Sequence, residues 1–252
     1  MYQAELEAVA AAAQGKSALL KKNPAGYFLL SMLAGFYVGF GVLLVFTISG
    51  QLQGAPHTKL VMGMCFAVAL SLVIMAGSEL FTGNMLVMGT GILKKKVSTA
   101  ESLKLWCVCY AGNLAGSFLL AVIYRLTGLG AGAAGEAMAA GALAKISAGP
   151  LALTARGMLC NMLVCIAVWC GFRCKSEPAK LIMVFWCILA FFTTGFEHSI
   201  ANMTLFSYML ISPAGSGIPA SGMLVNLLFV TIGNIIGGLC LTAVPYFISA
   251  KS

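Results

Sequence analysis

What this sequence has least of is charge. Only 9% of its 252 residues are Asp, Glu, Lys or Arg, against 60% hydrophobic, where soluble domains carry about a quarter charged residues. So little polar surface cannot clothe a water-facing fold, and lipid is left as the solvent for most of the chain. Period-two alternation is missing too, and the apolar runs exceed the ~10 residues of a membrane barrel strand. None of the nine cysteines forms a C-x-x-C pair, so no zinc or dithiol redox site is expected. Eight of them lie within apolar runs, where a thiol packs as a small hydrophobe. No G-x-S-x-G elbow is present, and Ser199 is only the sequence neighbour of His198. Every candidate catalytic constellation fails on spacing; the chain is not expected to be an enzyme or to hold a cofactor or metal. The opening "MYQAELEAVAAAAQGK" has no basic n-region, so the first span is expected to be retained as an anchor rather than cleaved.

What is there is a set of long apolar stretches. Six spans emerge near 27–48, 59–92, 103–126, 151–172, 179–212 and 223–248, each close to or above the ~20 residues needed to cross. The second and fifth are too long for single straight helices. The net charge of +8 is spread over short loops, which argues against a nucleic-acid partner and for a topology signal. Lys16, Lys21, Lys22, Lys94, Lys95, Lys96, Lys104, Arg173, Lys175, Lys180 and Lys251 fall on one side, and Lys59, Arg125, Lys145 and Arg156 on or near the other. The positive-inside rule then puts both termini in the cytoplasm. One multi-pass domain is expected over 1–252, with a cytoplasmic segment at 1–24, a first unit at 25–127, a Gly/Ala-rich linker at 128–150 and a second unit at 151–252. Residues 2–20 fit an amphipathic helix on the membrane surface, or a frayed tail.

A carboxylate sits inside each over-long span, in "MAGSELFTGN" and in "TTGFEHSIAN". Gly77, Glu79 and Asn84 match Gly195, Glu197 and Asn202 at an offset of 118 (197 − 79). "GNLAG" at 112–116 matches "GNIIG" at 233–237 at an offset of 121 (234 − 113). Two ordered matches in nearly the same register indicate an internal repeat. Three spans per copy make it an inverted one, with helices 2 and 5 discontinuous where they line a pathway. Interrupted backbone in a bilayer leaves N–H groups without partners, at several kcal/mol each. Glu79 and Glu197 either accept hydrogen bonds from those freed amides or face the pore; their shared spacing favours the first role. Asn84 and Asn202 are expected to cap the half-helices that follow. Those half-helices aim positive ends at the pathway, and neither interruption contains Asp, Lys or Arg, which suits a small anion. His198 has no counterpart in the first copy, where Leu80 takes its place.

"AGSELFTGN", "LCNMLVCIAVW" (159–169), "GFEHSIANMTLF" (195–206), "TIGNIIGG" (231–238) and "NPAGYFLLSMLAGFYVGFGVLLVF" (23–46) occur in an order that resembles the formate/nitrite transporter family over essentially the whole chain. The nitrite-channel branch is most similar, with the hydrosulfide branch close. The resemblance implies an all-α polytopic protein of aquaporin-like topology in the inner membrane, a homopentamer with one pore per protomer. Carried over by position, it implies a central anion site at His198, Thr82 and Asn234 and a vestibule lysine at Lys145. It also implies apolar constrictions at Phe66, Leu70 and Phe191 toward the outside and at Leu80 beside the first interruption. The substrate implied is a small monovalent anion: nitrite first, then formate or hydrosulfide. Two mechanisms remain: proton transfer from His198 to the bound anion, or a passive channel. An aquaporin-like path for neutral solutes is the rival from another class, but that family marks its half-helices with Asn-Pro-Ala, and neither interruption here contains proline.

Overall fold

The computed structural model describes residues 2–250; Lys251, counted above with the basic residues, lies outside the described residues. Among them there are helices and short connections only. In chain order the helices are α1 (Gln3–Lys22), α2 (Pro24–Gln51), α3 (Thr58–Leu72), α4 (Phe81–Leu93), α5 (Thr99–Leu126), α6 (Ala133–Ile146), α7 (Pro150–Arg173), α8 (Glu177–Thr194), α9 (Ser199–Ile211), α10 (Ala220–Gly238) and α11 (Val244–Ser249). A π turn at Val73–Gly77 extends α3, and another at Leu239–Ala243 joins α10 to α11. Six of the resulting segments are long and apolar enough to cross a membrane. Helices α4 and α9 are apolar but have 13 residues each, roughly 20 Å at ~1.5 Å per residue, which is short of a ~30 Å hydrocarbon core.

Local chemistry fixes the ends. Pro24 opens α2 behind Asn23, whose side chain accepts from the Gly26 N–H. Ser98 and Glu101 form a reciprocal capping box at α5. Helix α8 stops at Gly195, with φ of 87°, and the Phe196 N–H returns to the Phe191 carbonyl, a left-handed glycine cap. The extension of α3 likewise ends at Gly77, with φ of 77°, before extended backbone at Ser78. Where the sequence reads as one interrupted span over 59–92, the structure therefore has α3 and α4 with residues 78–80 between them. Over 179–212 it has α8 and α9 with 195–198 between them. Helix α6 falls within the stretch read as a linker.

Two helix pairs carry the frame, α2 with α5 and α7 with α10. Each closes on glycine. A Cβ at Gly116 would lie 2.0 Å from the Met32 carbonyl oxygen, and one at Gly233 would lie 2.2 Å from the Thr154 carbonyl oxygen. Lipid offers no apolar driving force between helices, so close backbone approach through small residues supplies the packing. Gly116→Ala is expected to push α5 off α2 and cost about 1–3 kcal/mol, read as a lower melting temperature of the protein in detergent. Gly15→Ala, where nothing lies within 4 Å, should leave it unchanged. Large apolar side chains such as Leu126, Leu151, Trp186 and Leu224 point outward, as a lipid-bathed surface permits.

Helix α1 lies against this frame and is tied to four parts of it. Its Glu7 pairs with Lys94 at 2.6 Å, Lys21 bonds Glu101, and Lys16 reaches Glu79. Glu5 faces Arg173, whose guanidinium lies 4.8 Å over the Tyr2 ring. The Lys94 ammonium holds the exposed Glu7 carboxyl below its usual range.

Candidate functional site

The two stretches of extended backbone are held by the same set of bonds made twice. In the first, the Glu79 N–H donates to the Leu30 carbonyl (3.2 Å) and the Phe81 N–H to Asn113 Oδ1 (3.0 Å). Asn113 Nδ2 then donates to the Ser31 and Glu79 carbonyls, each at 2.8 Å. In the second, the Glu197 N–H donates to the Arg156 carbonyl (3.3 Å) and the Ser199 N–H to Asn234 Oδ1 (3.0 Å). Asn234 Nδ2 donates to the Gly157 (2.8 Å) and Glu197 (3.0 Å) carbonyls. One asparagine from α5 and one from α10 thus satisfy the backbone that leaves the helix. This corrects the role expected for Asn234: both of its N–H groups are committed to carbonyls, so it clamps the chain and offers no donor to a passing solute.

The glutamates do something else. Glu79 is buried and accepts from Lys16 Nζ (2.6 Å), Tyr27 OH (3.0 Å) and Asn84 Nδ2 (2.9 Å). Glu197 is buried too, and takes Lys145 Nζ on both oxygens (2.9 and 2.8 Å) and Asn202 Nδ2 (2.7 Å). Their partners are side chains, not the freed amides. A buried carboxylate needs a paired cation and filled lone pairs, and each receives both. Asn84 and Asn202 are also corrected. The N-cap positions belong to Leu80 and His198, while the two asparagines sit a turn inside their helices and hold the carboxylates. Asn226 locks the second group further, accepting from Asn202 (2.8 Å) and donating to the Lys145 carbonyl (3.0 Å).

His198 and Thr82 meet where the starts of α9 and α4 converge. The imidazole Nδ1 accepts from the Ala201 N–H at 3.1 Å, and Nε2 lies 3.0 Å from Thr82 Oγ1. A backbone N–H can only donate, so Nδ1 carries no proton; the network assigns the ring's proton to Nε2. Nε2–H then donates to Thr82, whose own hydroxyl hydrogen stays free to point elsewhere. Behind Thr82, its carbonyl accepts from Asn161 Nδ2 (3.2 Å) and Cys165 Sγ (3.5 Å), and Asn161 also donates to the Asn234 carbonyl (2.6 Å). Leu80 gives α4 no side-chain cap, so the two helix starts are unequal.

Two cavities approach this point. One, of about 660 Å³, is lined by Lys16, Leu70, Glu79, Leu80, Gly83 and Lys180 among others. The second, of about 240 Å³, is lined by Lys59, Phe66, Lys145, Phe191, Glu197 and His198 among others. Phe66 meets Phe191 edge-on at 6.0 Å and Phe192 at 4.8 Å, and Phe191 stacks 6.1 Å from the His198 ring. Leu70 lines the same cavity as Leu80, not the one lined by Phe66 and Phe191. All four apolar side chains are nearly inaccessible. The arrangement is two polar-mouthed cavities separated by greasy side chains, with one hydroxyl and one imidazole at the divide.

Sequence reasoning missed Lys16, Tyr27, Asn161 and Asn226, and it read Asn113 as a repeat marker without a task. Lys16 and Lys145 are functional twins, but they precede their glutamates by 63 (79 − 16) and 52 (197 − 145) residues, so no fixed offset pairs them. Several basic residues precede each glutamate, so nothing local in the sequence singles out its partner.

Comparisons with known proteins agree over the full length. The formate/nitrite transporter family model matches residues 3–248. The nitrite transporter NirC of Escherichia coli (strain K12) is 38% identical over 248 residues, covering 98% of this chain and 92% of that one. A solved structure described as an FNT family ion channel superposes with a TM-score of 0.93 at 36% identity, covering 98% of this chain and 99% of that one. Another, a pentameric formate channel with formate bound, gives 0.81 at 29% identity, with 92% and 99% covered.

Proposed function

The chain belongs to the formate/nitrite transporter family, and on that premise we propose that it passes a small monovalent anion, nitrite foremost, between its two cavities. Members of this family are channels and transporters, not enzymes. The Escherichia coli relative is named for nitrite, which supports nitrite ahead of formate or hydrosulfide. The doubled clamp of Asn113 and Asn234 supports an inverted repeat whose second and fifth membrane helices are interrupted at 78–80 and 195–198. The pentameric neighbour supports a homopentamer with a pore in each protomer. The basic loops support an inner-membrane topology with the Lys16 cavity facing the cytoplasm and the Lys145 cavity facing outward.

The observation that carries the mechanism is the bond from the Ala201 N–H to His198 Nδ1. An anion that has shed water between Phe66, Phe191, Leu70 and Leu80 needs a donor in compensation. Thr82 has one: its hydroxyl, which receives the His198 proton on one side and donates on the other. For His198 to hand its Nε2 proton to the anion, Nδ1 would have to gain one, and the Ala201 N–H occupies that lone pair. His198 therefore orients and polarises Thr82, and a weak acid collects its proton from water in the cavities. The positive ends of α4 and α9 and the hydroxyl donor at the divide favour anions over neutral solutes, against the aquaporin-like alternative.

His198→Asn tests this. Asparagine is among the best N-caps, so it can hold the start of α9 while removing the titratable ring. Nitrite flux into proteoliposomes is expected to keep its wild-type pH profile at a reduced rate. A variant whose flux no longer responds to pH would restore the proton-transfer mechanism.

A further inference from the structure

Lys145 is expected to draw anions to the outer mouth, yet its ammonium is spent on both oxygens of Glu197. The same cavity is lined by a second lysine, Lys59, at the start of α3. Among the described residues Lys59 makes no ion pair or hydrogen bond. Its Nζ lies 3.0 Å from where a Cβ would stand on Gly195, so the glycine leaves room for the ammonium over the end of α8.

Charge bookkeeping separates the two cavities. The Lys59 cavity holds two lysines against one glutamate, with His198 neutral, a balance of +1. The other holds Lys16 and Lys180 against Glu79 and Glu177, a balance of zero, and both of its lysines are paired, at 2.6 and 2.9 Å. A low-dielectric funnel with one uncompensated charge concentrates the opposite ion.

We propose that Lys59, not Lys145, is the anion-capture residue of the outer cavity, and that it makes entry from that side easier than entry from the other. This rests on the anion-transport reading above. Lys59 acts before the anion reaches Thr82, so it governs the concentration needed for half-maximal uptake and its salt dependence, not the rate at saturation. A bland role exists: a cation beside the last carbonyls of α8 steadies that helix end. Such a role would affect yield or maximal rate and leave the salt dependence alone.

The experiment is nitrite uptake by spheroplasts expressing wild type, Lys59→Gln, Lys59→Arg or Lys59→Glu, at about 10 mM and about 300 mM salt. Lys59→Gln should raise the half-saturating nitrite concentration about fivefold at low salt, keep the maximal rate, and flatten the salt dependence. Lys59→Arg should match wild type, and Lys59→Glu should reverse the salt response. If Lys59→Gln keeps the wild-type half-saturation and salt response, or loses only maximal rate, Lys59 is not the capture residue. If wild-type spheroplasts take up no more nitrite than those with empty vector, the anion-transport reading itself fails.

Discussion

Asn234→Leu is expected to destabilise the fold strongly rather than merely slow transport. Leucine has the same branched skeleton with bulkier ends, so no cavity opens, but two main-chain groups outside regular helix lose their partner at once: the Ser199 N–H and the Glu197 carbonyl. Asn234 is fully buried, so no water replaces them. Each orphaned group costs about 1–3 kcal/mol, together roughly 2–6 kcal/mol against a typical total stability of about 5–15 kcal/mol. Asn113→Leu is expected to cost less, because it orphans the Phe81 N–H while the Glu79 carbonyl keeps the Cys109 thiol at 3.2 Å. The measurement is the yield and melting temperature of monodisperse protein in detergent. Were Asn234 a donor to the anion instead, the leucine variant would fold normally and lose only flux.

The second large effect comes from Lys145→Met. It strips from Glu197, whose side chain is 5% exposed, the cation it is paired with. Breaking one side of a buried ion pair costs about 3–5 kcal/mol, because the partner's charge is left uncompensated. The double variant Lys145→Met/Glu197→Gln removes both charges, keeps an acceptor for Asn202, and is expected to regain most of the loss in thermal unfolding. Lys16→Met should cost less. The glutamate left behind is slightly less buried, Glu79 being 9% exposed against 5% for Glu197, and it retains two donors, Tyr27 and Asn84, where Glu197 retains Asn202. A milder Lys145→Met than Lys16→Met would contradict the inequality between the two pairs.

Hydropathy made the membrane spans legible, and the spacing from Glu to Asn located both interruptions. What each residue does there was not legible. Asn84 and Asn202 look like caps because a short polar residue follows an acid in a glycine-rich stretch. The helices resume two residues after each glutamate, so the asparagines fall inside the first turn and face back to the carboxylates. His198 takes the cap itself, a choice that side-chain preferences rank low. The clamp made by Asn113 and Asn234 depends on carbonyls of α2 and α7, which reach them only because Gly116 and Gly233 let the helices touch. The glycines show in the sequence as the spaced pairs of GNLAG and GNIIG, but which carbonyls they bring to the asparagines is a tertiary fact. Leu70 sits one turn beyond Phe66 on α3, and that turn carries it into the other cavity.

The central claim is that a negative solute crosses the apolar divide by leaning on the Thr82 hydroxyl. Stopped-flow measurement of proteoliposomes challenged with nitrite or with glycerol at equal osmolarity, for wild type beside Thr82→Val, tests it most directly. The account predicts fast nitrite entry, glycerol no faster than in empty liposomes, and a large loss of nitrite entry in the valine variant. Glycerol entering as readily as nitrite, or a valine variant as fast as wild type, would contradict it.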